Sequence, residues 1–156
     1  MMRFIGEPVT NTTAGLIGEH IAASAILQRG WSAALCQQDG YDIIATLGVE
    51  NYRVQVKACA LSHRKQRGKP NAKTLQFPVG IGRNKRMPTQ SDFDILCLVS
   101  SETRACLFMP IIGLNKQKLT KNIHLFSPEG EVDSWMQTIE VLRHDRSSKP
   151  PPLHHQ

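Results

Sequence analysis

Two short segments on either side of a turn constrain this chain most. Gly40-Tyr41-Asp42-Ile43-Ile44-Ala45 is followed, after Leu47-Gly48-Val49-Glu50, by Tyr52-Arg53-Val54-Gln55-Val56-Lys57-Ala58. Both segments are rich in β-branched and aromatic residues and are bounded by turn residues. They read as antiparallel strands over residues 41–47 and 51–59. Side chains alternate between the faces of a strand, which puts Gln55 and Lys57 on one side. Tyr52, Val54, Val56 and Ala58 then fall on the other. An amide and an ammonium side by side, a hairpin away from the Asp42 carboxylate, form a polar set on an otherwise apolar pair of strands.

The rest of the chain supplies cover for those strands. Residues 11–29 read as a helix capped by Thr12 or Thr13 and stopped by Gly30. Leu16, Ala23 and Leu27, flanked by Ile17 and Ile26, form its apolar stripe at helical spacing. Residues 31–36 read as a strand and 37–40 as a turn. A short strand is expected at 75–79, a continuous apolar strand central to the sheet at 93–99, and another strand at 104–109, ended by Pro110. A C-terminal helix is expected over 132–143, with Trp135, Ile139 and Leu142 on one face. From Ser147 onward the Pro-rich tail has nothing to pack and is expected to be disordered. Helix, strand, hairpin, short strand, strand pair and helix, in that order, imply one α/β (α+β) domain over residues 1–146. Its core is a mixed β-sheet flanked by helices.

Charge distribution narrows the partners. The 156 residues carry 19 Lys and Arg against 13 Asp and Glu, a net charge of +6. No acidic residue occurs between Glu50 and Asp92, a stretch that holds 10 of the 19 basic residues. A block of one sign repels itself unless a polyanion meets it, and double-stranded or branched DNA is the expected partner. The basic loops at 60–74 and 80–91 offer Arg64, Lys65, Arg67, Lys69, Lys73, Arg83, Lys85 and Arg86 as phosphate contacts. A solvated surface is the other reading of such a block. No apolar run approaches bilayer length, and the N-terminus lacks an apolar signal core, so an intracellular, cytoplasmic location is expected. The four cysteines show no C-x-x-C spacing and read as buried free thiols rather than zinc ligands or disulfides.

Four residues could carry chemistry. Glu19 falls on the edge of the first helix's apolar stripe, where a carboxylate must reach solvent, find a partner or bind a metal. Asp42 opens an apolar strand and could equally be a turn residue. Lys57 lies inside a strand, either as an edge lysine or as a cation for a scissile phosphate. Gln55 shares its face. Mg²⁺, with Mn²⁺ as a substitute, binds through one or two carboxylates, carbonyls and a substrate phosphate. Glu19, Asp42, the Gln55 amide oxygen and the Val56 backbone carbonyl are the oxygens available.

These residues carry a resemblance. The helix Gly15-Leu16-Ile17-Gly18-Glu19-His20-Ile21-Ala22-Ala23 with Gly30-Trp31, the strand Tyr41-Asp42-Ile43-Ile44, and Arg53-Val54-Gln55-Val56-Lys57 are similar to the opening of PD-(D/E)xK nucleases. The likeness is to the branch that holds group I intron-encoded homing endonucleases, and next to archaeal Holliday-junction resolvases. It spans residues 14–110, including Asp92-Phe93-Asp94 and Leu107-Phe108-Met109-Pro110. The resemblance implies a restriction-endonuclease-like fold and a Mg²⁺-dependent DNA endonuclease acting as a homodimer or homotetramer. Glu19 and Asp42 would be its metal-binding acids, Gln55 would stand at the (D/E) position, and Lys57 would be the motif lysine. Gly40-Tyr41 replaces the motif's proline. Gln55 replaces an acid, which removes a charge from the metal site and should weaken metal affinity, although some members of the branch carry Gln there. A non-catalytic DNA-binding module on the same fold is the alternative, and a basic adaptor for protein partners is a third reading.

Overall fold

The computed structural model describes residues 10–38, 40–59, 64–65 and 73–150. Helix α1 (Asn11–Gln28) leads into strands β1 (Ser32–Gln38), β2 (Tyr41–Leu47) and β3 (Glu50–Cys59). Strands β4 (Arg64–Lys65), β5 (Lys73–Pro78), β6 (Ile95–Ser100), β7 (Cys106–Pro110) and β8 (Lys118–Asn122) follow. A 3-10 turn (Ile123–Leu125) then precedes helix α2 (Pro128–Ser148).

The main sheet has the order β1-β2-β3-β6-β7. Its pairings are antiparallel except for β3 with β6, which are parallel. This is the mixed, helix-flanked α+β sheet expected from the sequence. All six residues of β6 are buried, as its unbroken apolar run requires of a strand covered on both faces. On one face Ile43, Val54, Ile95, Cys97 and Val99 pack with Ile26 of α1 and with Trp135, Ile139 and Leu142 of α2. On the other face Phe93, Leu96 and Leu98 pack with Phe77, Leu119 and Phe126.

That second core belongs to a feature the sequence reading lacked, a separate small sheet in the order β4-β5-β8. Strand β8 (Lys-Leu-Thr-Lys-Asn) buries only Leu119, which leaves almost no apolar signal. The C-terminal helix is also longer than expected. Ser127 caps it, its hydroxyl accepting from the Gly130 N–H at 3.0 Å, and Pro128 fits the first turn. The helix takes in Ser147 and Ser148 from the expected tail, and residues 151–156 lie outside the described residues. Pro150 sets the stop, since the residue before a proline avoids helical geometry and Lys149 has ψ 135°.

The stripe of α1 requires a larger correction. Its buried residues are Gly18, Ala22, Ala23, Ala25 and Ile26, whereas Leu16 and Ile17 are 42% exposed and Leu27 57%. The cause is the close approach of α1 to β3. A Cβ on Gly18 would lie 2.7 Å from the Cβ of Ala58, so only small side chains fit in this interface and the large ones turn outward. The cap also differs: Thr10, not Thr12 or Thr13, accepts the Thr13 N–H at 3.2 Å. At the other end Gly30 stops the helix with φ +83°, as expected.

This contact yields a direct test. Replacing an exposed helical Gly by Ala gains about 1 kcal/mol of helix propensity. At Gly18 the overlap with a Cβ fixed to the β3 backbone should outweigh that gain. Gly18→Ala is expected to lower stability in urea or thermal unfolding by about 1–3 kcal/mol. Ala58→Gly in the same chain should recover part of the loss. A Gly18→Ala protein as stable as the wild type would refute the close approach.

Candidate active site

The β2–β3 ladder runs from Leu47/Glu50 to Ile43/Val54 and stops there. Beyond the last pair, the Asp42 side chain replaces the ladder. One of its carboxylate oxygens, Oδ2, accepts the Val56 N–H at 2.8 Å and the Gln55 side-chain N–H at 2.8 Å. The same Gln55 Nε2 also donates to the Val56 carbonyl at 3.3 Å. Two oxygens that the sequence reading offered to a metal are thus bridged by one amide NH₂ group, and the Gln55 nitrogen, not its oxygen, faces Asp42.

Glu19 comes from α1, one residue after the glycine that lets the helix touch β3. It lies close enough to Asp42 for the two carboxyl groups to share a proton. Burial raises the Glu19 carboxyl above the usual range, and the neighbouring Asp42 charge raises it further. Burial also raises Asp42, opposed by the Val56 N–H, the Lys57 ammonium and Glu19. Both carboxyl groups therefore favour the neutral form more than free side chains do, and they titrate as a pair.

Lys57 is half-buried on the face of β3 that holds Gln55. Burial pushes its ammonium below the ordinary lysine value, Asp42 pulls it back up, and Lys85 from the 80–91 loop pushes it down. Lys57 and Val56 line an open cleft of about 750 Å³. The other walls are the first turns of α1 at Asn11, Ala14 and Gly15, strand β5 at Gln76 and Pro78, and Lys118 of β8. Asp42 and Glu19 are not among the cleft's walls; they join it through Val56 and Lys57.

The structure therefore brings Glu19, Asp42, Gln55 and Lys57 together. The reading missed Cys36. The β1–β2 register shifts between Leu35 and Gln38, and this bulge sets Cys36 across from Asp42. Burial raises its thiol, and so do the charges of Asp42 and Glu19. No sequence signal marks a bulge of this kind. Among the described residues no three His, Cys, Asp or Glu side chains are arranged to hold a metal ion. Glu19 and Asp42 with neutral oxygens, water or substrate would make an all-oxygen donor set, the type that hard cations such as Mg²⁺ take.

The expected DNA contacts divide. Arg83 and Lys85 are exposed on a tight turn closed by an Ile81–Arg86 bridge. Arg64 and Lys65 form β4, while Arg67 and Lys69 lie outside the described residues. Lys73 reaches Glu102 at 3.4 Å. Arg86 is held by both carboxylate oxygens of Asp92, at 2.7 and 2.9 Å, and brings the Asp92 carboxyl down to about 2. Arg53, also in the acid-free block, binds Asp94 and the carbonyls of Ser91 and Gln90. Arg86 and Arg53 thus anchor the 89–94 segment. The block is free of acid in sequence but not in space, because Asp92 and Asp94 at its edge fold back on it.

No family model matches the sequence, and no curated protein matches it. In structure the chain is similar to the bacterial homing endonuclease I-Ssp6803I, with a TM-score of 0.64 and 16% identity. The match covers 91% of this chain and 99% of that one. The chain shares that protein's fold. Among the described residues no helix is long and apolar enough to cross a membrane.

The carboxylate pair predicts a pH effect. Both groups have raised pKa values in the folded protein, so it binds more protons than the unfolded chain above the ordinary values of 3.8 and 4.5. Their contribution to stability is full below those values and is lost as pH rises through the raised ones. Asp92 and Glu50 shift downward and act at lower pH. In EDTA, the melting temperature should fall as the pH rises above about 4 more steeply for wild type than for Asp42→Asn or Glu19→Gln. Parallel curves for all three proteins would dismiss the shared proton.

Proposed function

We propose that this chain is a divalent-metal-dependent endonuclease that hydrolyses phosphodiester bonds in double-stranded or branched DNA, of the homing-endonuclease or junction-resolvase type. The observation that carries the reading is the Asp42–Glu19 carboxylate pair at the end of the β2–β3 ladder, with Lys57 beside it facing an open cleft. The PD-(D/E)xK resemblance and the fold shared with a homing endonuclease support it.

In this reading Asp42, Glu19 and the Val56 carbonyl would hold Mg²⁺, which would supply Lewis-acid stabilisation of the phosphate charge and lower the pKa of a nucleophilic water. Asp42 is oriented by the Val56 N–H, which holds one carboxylate oxygen in place. Lys57 places an ammonium at the cleft wall, where it neutralises charge on the phosphate oxygens and orients the attacking water. Its lowered pKa eases transfer of a proton at Nζ. Gln55 must turn its amide so that Oε1 rather than Nε2 faces the site. Lys85, Lys118 and Arg83 meet the backbone of the duplex. A symmetric pair of cuts favours a homodimer or homotetramer.

A non-catalytic DNA-binding module remains a second reading, favoured by one observation. The Gln55 NH₂ already bridges Asp42 and Val56, where a cation would sit. Cleavage of supercoiled plasmid and four-way junctions in Mg²⁺ separates the two. Wild type should cut and EDTA should stop it. Asp42→Ala and Lys57→Ala should each slow cleavage by about a hundredfold or more while retaining DNA binding. Equal cutting by all three proteins would remove the assignment, and binding without cutting in any divalent metal would select the module.

Gln55→Glu tests the same position from the other side. A third carboxylate should tighten Mg²⁺ or Mn²⁺ binding by about tenfold in calorimetric titration, since affinity follows ligand charge. The metal-free protein should become less stable through repulsion with Asp42. Unchanged metal affinity would place position 55 outside the metal's ligand sphere.

A further inference from the structure

Strands β5 and β8 form an antiparallel ribbon in which Gln76 lies opposite Thr120, and Pro78 opposite Lys118. One face of the ribbon is committed to the core through Leu75, Phe77 and Leu119. The alternate residues, Gln76, Thr120, Pro78 and Lys118, must share the opposite face. That face continues the cleft that holds Lys57, whose walls include Gln76, Pro78 and Lys118.

Its chemistry differs from that of the basic loops. Gln76 and Thr120 are neutral, and neither side chain has a hydrogen-bond partner within the described protein. Other amides nearby are engaged. Gln117 donates to the Lys85 carbonyl at 2.8 Å, Asn122 accepts the His124 N–H at 2.9 Å, and Gln55 is bound to Asp42. An unengaged amide directly across from an unengaged hydroxyl makes a small hydrogen-bonding platform, flanked by Lys118. Lysine contacts to phosphate carry no sequence information, whereas amides and hydroxyls can read base edges. The major groove of B-DNA admits a two-stranded ribbon, and Gln pairs in bidentate fashion with adenine while Thr contacts the thymine methyl.

We infer that the outward face of the β5–β8 ribbon enters the major groove beside the cut, and that Gln76 and Thr120 read an A·T pair there. This rests on the DNA-endonuclease reading and adds its specificity determinant. The test is selection from a duplex library randomised over the bound site, first by binding without metal and then by cleavage with Mg²⁺. Wild type should select A·T at a defined position. Gln76→Ala should lose about tenfold discrimination at that base pair and little elsewhere, and Gln76→Arg should turn the preference toward G. Lys118→Ala should weaken binding to all sequences alike and lower the salt slope by about one. Melting curves confirm that each variant folds. A selected sequence unchanged by Gln76→Ala, or a wild type that binds DNA without preference, overturns the inference while leaving the endonuclease reading in place. A wild type that binds no DNA overturns both.

Discussion

The site depends on one hydrogen bond, from the Val56 N–H to the Asp42 carboxylate. Val56 lies in the middle of β3, where an unserved backbone donor would be costly. Its neighbour β2 has left the ladder by this point, at Ile43/Val54. Asp42 repairs the loss with its side chain. The repair brings a carboxylate to the split between two strands, beside the polar face of β3. A main-chain carbonyl in place of the carboxylate would close the ladder and leave no site.

The second constraint is how near α1 can come. Glu19 meets Asp42 only because Gly18 touches Ala58, and that contact dictates the small residues along the buried face of the helix. The packing leaves Leu16, Ile17 and Leu27 outward, and their exposure follows from the position of Glu19 rather than from any weakness of the helix. The partial burial that comes with this position also raises the Glu19 carboxyl above its usual range. Geometry and ionisation therefore have a common origin in the α1–β3 interface.

Much of this was legible in the sequence, and the reasons are particular. The β2–β3 hairpin and the buried β6 announce themselves through alternation and an unbroken apolar run. Gln55 and Lys57 share a side because strand periodicity demands it. What was not legible depends on contacts distant in sequence. The stripe of α1 looked like leucines because helical spacing cannot report how close a partner strand lies. Strand β8 carries four polar residues and a single buried leucine out of five, so its place in a sheet depends on Phe77 and Phe126 beneath it. The role of Cys36 hangs on a bulge. The pairing of two members of the acid-free block was hidden for a similar reason: Arg53 and Arg86 find Asp94 and Asp92, whose positions in the chain lie just beyond its end.

Gln55 shows why a short motif is a weaker statement than the structure around it. The PD-(D/E)xK resemblance implies an acid at its position. In the folded chain its NH₂ group satisfies Asp42 and the Val56 carbonyl at once, acting on both oxygens as a small cation would. A glutamate there would offer no donor and would add a third negative charge to a pair already sharing a proton. The metal-free site is thus better suited to glutamine than to glutamate. The amide is two-sided, and a half-turn about its last torsion exchanges donor for acceptor. One residue can therefore donate to Asp42 and Val56 in one orientation and present an oxygen to them in the other, at the cost of the two hydrogen bonds it must release.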